Sequence, residues 1–264
     1  MGTRRNSASG ISAGDDAEVM YVSVEHSQLS IGEIHVWMAR LGDDHPATAE
    51  FLRILSVEEQ TRAAQFSFER DRVRFIQAHA ILRQILANYM DADARTLTFA
   101  YNRHGKPYLL MRANDPELHF SVSHSHNCCI IAVALHHAIG IDIEKLRDLS
   151  SAIAIAQSYF TPAENRILGA LDAAAQRDTF FALWVRKEAT VKALGTSLAA
   201  NLGRIEFDTG CDGLLRLVAC NGDRAVSETW SILGLDPAPG YVAALASMHP
   251  VRSVRMQSWT NANH

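Results

Sequence analysis

Asp142 and Glu144 stand one residue apart in the stretch IGIDIEKL, among isoleucines. In an extended chain residues i and i+2 point to the same side, so the two carboxylates share one face while Ile141 and Ile143 share the other. Like charges held that close raise each other's pKa unless a cation lies between them. The pair fits either an edge strand with a solvated acidic face or half of a divalent-metal site.

A second set of charges lies in FFALWVRKEATVKAL, residues 180–194. At about 100° per residue, Phe180, Trp184, Val191 and Leu194 form a narrow apolar stripe. Lys187 falls inside that stripe, and Glu188 and Lys192 fall on its flank, one turn apart. An exposed Glu and Lys at i, i+4 is usually a surface pair worth about 0.2–0.5 kcal/mol. Beside a face that must be buried each charge needs a partner, and a metal bound by Asp142, Glu144 and Glu188 supplies one for the acids. Three carboxylates without a ligating histidine suit a hard, oxygen-preferring ion such as Mg2+, which keeps water and substrate phosphate in its other positions.

A phosphate-bearing substrate gives meaning to two further stretches. NRHGKP sets Arg103 and Lys106 on a tight turn stopped by Pro107, and SVSHS sets Ser123 and His124 at a strand end. Taken alone, the first is a solvated turn and His124 a structural histidine. His124, His126 and Cys128 do not make a zinc site, because no second ligand pair follows at zinc spacing. Only four of the 25 basic residues are lysines, and Lys106, Lys145, Lys187 and Lys192 all fall within 87 residues. Arginine does not replace lysine where a compact ammonium is needed, so this clustering marks the candidate site.

The elements that position these groups are legible from periodicity. EIHVWMARL (33–41) alternates as a strand, and LSVEEQTRAAQFSF opens a helix with a capping box of Ser56 and Glu59. A long amphipathic helix is expected from Asp71 to about Met90, with Arg70, Arg72, Arg74 and Arg83 near or along it. TLTFAYN, LHFSVSH, CCIIAVAL and AIGIDIEK read as strands of an antiparallel meander. A helix begins at the capping box of Thr161 and Glu164 with Pro162 at N1, and another covers roughly Asp178 to Leu194. RIEFD, GLLRLVAC, TWSILGL and GYVAALAS read as strands. The recurrence predicts two similar α+β halves. The expected boundaries are a disordered leader (1–18), an N-terminal half (19–130), a C-terminal half carrying the metal ligands (131–249) and a tail (250–264).

Composition narrows the class. The 264 residues, 48% hydrophobic and 20% charged, describe an ordinary globular chain. A net charge of −4 argues against a general nucleic-acid or membrane-surface binder. No apolar run is long enough to span a bilayer, and no apolar segment follows Arg4 and Arg5, so a cytoplasmic protein is expected. Cys128, Cys129, Cys211 and Cys220 include no C-x-x-C and are read as reduced.

In this order, the stretch from Ser56 through GKP, SVSH, GIDIE and WVRKEATVKALG to GYVAALA resembles the 4'-phosphopantetheinyl transferases of the Sfp type. The resemblance implies a pseudo-twofold α+β fold, coenzyme A as donor, and a serine of an apo acyl or peptidyl carrier protein as acceptor, with release of 3',5'-ADP. By position it implies Asp142, Glu144 and Glu188 as Mg2+ ligands, Glu188 also as candidate base, and Lys192 as the group stabilising charge at the pyrophosphate. It implies coenzyme A contacts from Arg62, Arg74, Arg103, Lys106, Pro107, Ser123, His124, Lys187 and Lys192. A monomer acting in fatty-acid, polyketide or nonribosomal-peptide biosynthesis is expected. The family often carries lysines in the first helix where this chain has Glu59 and Arg62. Two other classes use the same residues: a Mg2+-dependent phosphohydrolase with water as acceptor, and a non-catalytic carrier-binding module.

Overall fold

The run CCIIAVAL cannot offer a polar face in an extended chain, and in the computed structural model it is a strand buried on both sides. The structure describes residues 18–21, 28–43, 48–113, 115–148 and 151–260. Along the chain the strands are β1 (Glu18–Tyr21), β2 (Glu33–Arg40), β3 (Phe99–Tyr101), β4 (Pro107–Leu109), β5 (Leu118–Ser125), β6 (Cys128–Leu135), β7 (Ile139–Lys145), β8 (Ile205–Thr209), β9 (Leu215–Cys220), β10 (Ser231–Leu235), β11 (Tyr241–Ser247) and β12 (Ser253–Ser258). The α-helices are α1 (Thr48–Ile54), α2 (Val57–Ala64), α3 (Glu69–Met90), α4 (Ala152–Tyr159), α5 (Pro162–Gly169), α6 (Ala173–Leu194) and α7 (Leu198–Asn201).

Two sheets carry the fold. The larger has the order β1-β12-β2-β6-β5, the smaller β10-β11-β7, and β3-β4 and β8-β9 are separate hairpins. Alternation along β6 divides its side chains: Cys128, Ile130, Ala132 and Ala134 share a core with Ile139, Ile141 and Ile143 of β7, whereas Cys129, Ile131 and Val133 pack under α3. The helix α6 covers the other face of the smaller sheet, against Ala244 and Ala246.

The predicted α+β architecture of two similar halves is observed as a repeated order. Strands β2, β6 and β5 in the first half answer to β7, β11 and β10 in the second. Each half has a short helix opened by a capping box, Ser56 with Glu59 and Thr161 with Glu164, then a 22-residue helix. The capping-box glutamate of each half reaches the long helix that follows. Glu59 Oε2 accepts from Arg83 Nε at 2.7 Å, and Glu164 accepts from Lys187 Nζ at 2.8 and 2.7 Å.

Four expectations need correction. β7 does not continue a meander after β6; it pairs antiparallel with β11, from Ile139 opposite Ser247 to Lys145 opposite Tyr241. The boundary placed between 130 and 131 falls inside β6. The tail placed at 250–264 contains β12, which lies between β1 and β2 and runs parallel to both, burying Val254 and Met256. The helix expected from Asp178 starts at Ala173, where Asp172 caps it by accepting from Ala175 N–H. Of the predicted leader, residues 1–17 lie outside the described residues, and Glu18 opens β1.

Candidate active site

β7 brings its acids to α6 because Gly140 lets the two backbones meet. A Cβ at position 140 would lie 1.9 Å from the Ala189 carbonyl oxygen and 2.5 Å from Ala193 N. Pleating then turns the isoleucines into the core and aims Asp142 and Glu144 to the other face. On α6, Glu188 and Lys192 lie one turn apart and meet them. Lys192 Nζ donates to Asp142 Oδ1 at 2.7 Å and to the Ile141 carbonyl at 3.1 Å.

Among the described residues only one edge of β7 pairs with a strand, and side chains satisfy much of the other. Ser121 Oγ accepts from Ile141 N–H at 3.0 Å, and Ser125 Oγ accepts from Lys145 N–H at 3.1 Å. The ammonium groups of Lys106 and Lys192 donate to the carbonyls of Ile139 and Ile141 at 3.0 and 3.1 Å. The two serines come from β5, which runs beside β7 without a backbone ladder to it. Their alternate neighbour Ser123 donates to Asp142 Oδ1 at 2.7 Å, and Ser125 donates to Glu144 Oε2 at 2.8 Å.

The turn NRHGKP is tied to the end of α6. Asn102 Nδ2 donates to the Gly195 carbonyl at 2.8 Å, while Asn102 Oδ1 accepts from His104 and Lys106 N–H within the turn. Gly105 with φ +84° closes the turn, and Gly195 with φ +64° ends the helix. Lys106 is thereby set beside Lys192. Burial, helped by the Lys192 charge, lowers the Lys106 pKa to about 8.

Electrostatically the acids are crowded. Burial pushes the Asp142 carboxyl up, against the pull of Lys192 and Ser123, and Glu144 adds to the rise. Glu188 is pushed up to about 7, by burial first and then by Asp142, with Lys192 opposing and Glu144 adding to the rise. Asp142 Oδ2 is buried and has no hydrogen-bond partner among the described residues. Among the described residues, no three His, Cys, Asp or Glu side chains are drawn into a ready cage for a metal ion. The Lys192 ammonium takes up one oxygen of Asp142.

A cleft of about 250 Å3 opens beside this cluster, lined by Ala78, His79, Leu82, Val122, Ser123, His124 and Lys192. Its floor is apolar, and its polar groups are two imidazoles, one hydroxyl and the Lys192 ammonium. The His124 pKa is lowered by burial and by the charges of Lys192, His79 and Arg74. His79 was not singled out from sequence, because it sits in a helix whose periodicity reads as core. Its Nδ1 lies 2.9 Å from Glu59 Oε1, and its ring is tilted against that of Phe75, with centroids 4.0 Å apart. The capping box marks Glu59, so a polar residue of α3 facing α2 was the available signal.

The expected site residues thus separate. Asp142, Glu144, Glu188, Lys192, Lys106, Ser123 and His124 come together at the cleft and its rim. Arg62, Arg74 and Arg103 stand outside the cleft lining, each held by a neighbour: Arg62 over the Phe75 ring at 5.5 Å, Arg74 to Asp43 at 2.6 Å, Arg103 to His104 at 2.9 Å. Pro107 opens β4 opposite Tyr101. Lys187 is a correction. Its side chain is fully buried, donates to both oxygens of Glu164 and to the Ile205 carbonyl, and so faces the core rather than a substrate.

Comparison with known proteins bears on this arrangement. Residues 138–246 match the family described as the 4'-phosphopantetheinyl transferase superfamily, and residues 44–136 match a 4'-phosphopantetheinyl transferase N-terminal family. The chain is 34% identical over 214 residues to the 4'-phosphopantetheinyl transferase HetI of Nostoc sp., covering 81% of this chain and 87% of that one. It is 27% identical over 212 residues to the 4'-phosphopantetheinyl transferase Sfp of Bacillus subtilis, covering 78% and 90%. It is 28% identical over 183 residues to the L-aminoadipate-semialdehyde dehydrogenase-phosphopantetheinyl transferase of Homo sapiens, covering 65% and 59%.

Proposed function

We infer the reaction from the premise that this chain belongs to the 4'-phosphopantetheinyl transferase superfamily and is a 4'-phosphopantetheinyl transferase: its donor is coenzyme A and its acceptor a serine of an apo acyl or peptidyl carrier protein. The serine oxygen attacks the β-phosphorus of coenzyme A, the bond to the bridging oxygen breaks, 3',5'-ADP leaves, and the serine proton must be taken up. The observation that carries this reading is the meeting of Asp142, Glu144 and Glu188 with Lys192 at the rim of a cleft lined by donor groups.

Mg2+ fits the residues present. Their donors are hard carboxylate oxygens, Asp142 Oδ2 is buried without a partner among the described residues, and Asp142 and Glu188 are pushed up by burial and by neighbouring carboxylates, which a cation would relieve. Asp142, Glu144 and Glu188 would hold the ion. When bound it would supply positive charge against the pyrophosphate oxygens. The chain's own groups do the rest. Lys192 donates to the bridging oxygen that leaves with 3',5'-ADP and stabilises its growing charge. Glu188, on α6 beside Asp142, is the carboxylate proposed to receive the serine proton. Lys106 and His124 give the phosphates further donors, and Ser123 fixes Asp142. Arg62, Arg74 and Arg103 remain proposed contacts of the nucleotide's outer phosphates, reached once they leave their present partners.

The cleft draws on α3, β5 and α6. No described helix is long and apolar enough to cross a membrane. Buried Cys128, Cys129 and Cys220 and exposed Cys211 are all free, which supports a reducing, cytoplasmic setting. The test is the intact mass of an apo carrier protein incubated with the enzyme, coenzyme A and Mg2+. Gain of one phosphopantetheine with stoichiometric 3',5'-ADP supports the reading. Release of 3',5'-ADP without carrier protein identifies a phosphohydrolase instead.

A further inference from the structure

Ser125 joins the unpaired edge of β7 to one of its acids. Its Oγ accepts from Lys145 N–H at 3.1 Å, so its single proton is directed to Glu144 Oε2, 2.8 Å away. The residue is buried, at 8% exposure. Glu144 has a rival partner. Arg147 Nη1 lies 3.3 Å from the same Oε2 and sits on the solvent side, its side chain 43% exposed and its guanidinium over the Phe181 ring. A charge-assisted hydrogen bond to arginine is stronger than one from a hydroxyl, so the Ser125 bond ties this carboxylate to β5 against the pull of Arg147.

We propose that Ser125 is a positioning residue: it holds Glu144 toward Asp142 and Glu188 and prevents its capture by Arg147. This rests on the Mg2+ reading given above, since the work of Ser125 is to aim a ligand. Removing the hydroxyl has two effects that add. The Lys145 N–H loses its acceptor, which loosens the edge of β7, and Glu144 Oε2 is left to Arg147 alone. Ser123 does for Asp142 what Ser125 does for Glu144, from the same face of β5. The serine spacing in SVSHS thus repeats the acid spacing in GIDIE.

The test is titration of the full-length protein with Mn2+, followed by the electron paramagnetic resonance of the free ion, with and without coenzyme A. Changes in residues that orient metal ligands weaken metal binding about 10–100-fold. Ser125→Ala is expected to weaken Mn2+ binding about tenfold, with a melting temperature that shows the fold intact. Ser125→Thr, which keeps the hydroxyl, is expected to bind nearly as the wild type does. Adding Arg147→Gln to Ser125→Ala is expected to restore most of the affinity, because the rival partner is gone. Unchanged Mn2+ binding in Ser125→Ala overturns the proposal, and so does a double variant as weak as Ser125→Ala alone. Wild-type protein that binds no Mn2+ with coenzyme A present is a separate failure, which overturns the metal reading itself.

Discussion

Replacing Lys187 by methionine separates a structural lysine from a substrate contact. Lys187 and Glu164 are both fully buried, and the ammonium makes two hydrogen bonds to the carboxylate and one to the Ile205 carbonyl. Removing one partner of a buried pair typically costs about 3–5 kcal/mol, because the other charge is left uncompensated. Glu164 would keep the Thr161 and Phe207 N–H groups at 2.8 and 2.9 Å, which places Lys187→Met at the lower end, about 3 kcal/mol. For a chain of this size each kcal/mol moves the melting temperature by about 2–4 °C, so a fall of about 6–12 °C is expected. The assay is thermal unfolding at pH 7 followed by circular dichroism, with KM for coenzyme A measured well below the transition. KM should stay near the wild-type value. Adding Glu164→Gln removes the stranded charge while keeping a cap for α5, and should recover part of the loss. An unchanged melting temperature together with a large rise in KM would refute this reasoning and return Lys187 to the coenzyme contacts.

Three further outcomes are expected. Lys192→Arg should lose about 10²-fold in transfer rate with little change in melting, because the broader guanidinium cannot occupy the ammonium position between Ile141 O and Asp142; an unchanged rate would make Lys192 a bystander. Gly140→Ala should destabilise the protein by about 3 kcal/mol and abolish transfer, since its Cβ would stand 1.9 Å from the Ala189 carbonyl; a stable, active variant would contradict the close approach of β7 and α6. With its pKa lowered to about 8, Lys106 is a cation below that pH and neutral above it, so kcat/KM for coenzyme A should fall as pH rises through about 8. Lys106→Arg should abolish that fall, and a profile identical to wild type would assign it to another group.

Local chemistry was read correctly where it depends on near neighbours. The capping boxes of Ser56 and Thr161, the isoleucine face of β7 and the buried-face position of Lys187 all follow from spacings of two to four residues. What the spacing could not carry was partnership across the chain. The resemblance implies a coenzyme contact for Lys187 although its periodicity places it on the buried face; its partner Glu164 lies 23 residues away on another helix, beyond the reach of local spacing. The parallel case of Glu59 and Arg83, 24 residues apart, was a usable signal once both capping boxes had been noticed. Strand β7 was recognised, but its pairing with β11 rather than β6 is set by which apolar faces meet, not by alternation within either strand. SVRMQS alternates as a strand should, and was read as a tail only because its partners lie more than 200 residues away in the sequence.

The place of β12 has a consequence for how the chain comes to be folded. In the larger sheet β1 bonds only to β12, and β2 meets on that side the same late strand. A nascent chain that has reached residue 135 has made β2, β5 and β6 but has an open edge beside β2, where Ile34 and Val36 wait for Val254 and Met256. The first-made half therefore cannot close before β12 leaves the ribosome. Such distant pairing slows folding, because a very long loop must be closed before the contact is rewarded. Until then the exposed edge is a template for any extended segment, which makes the growing chain dependent on the arrival of β12 or on a chaperone to shield it.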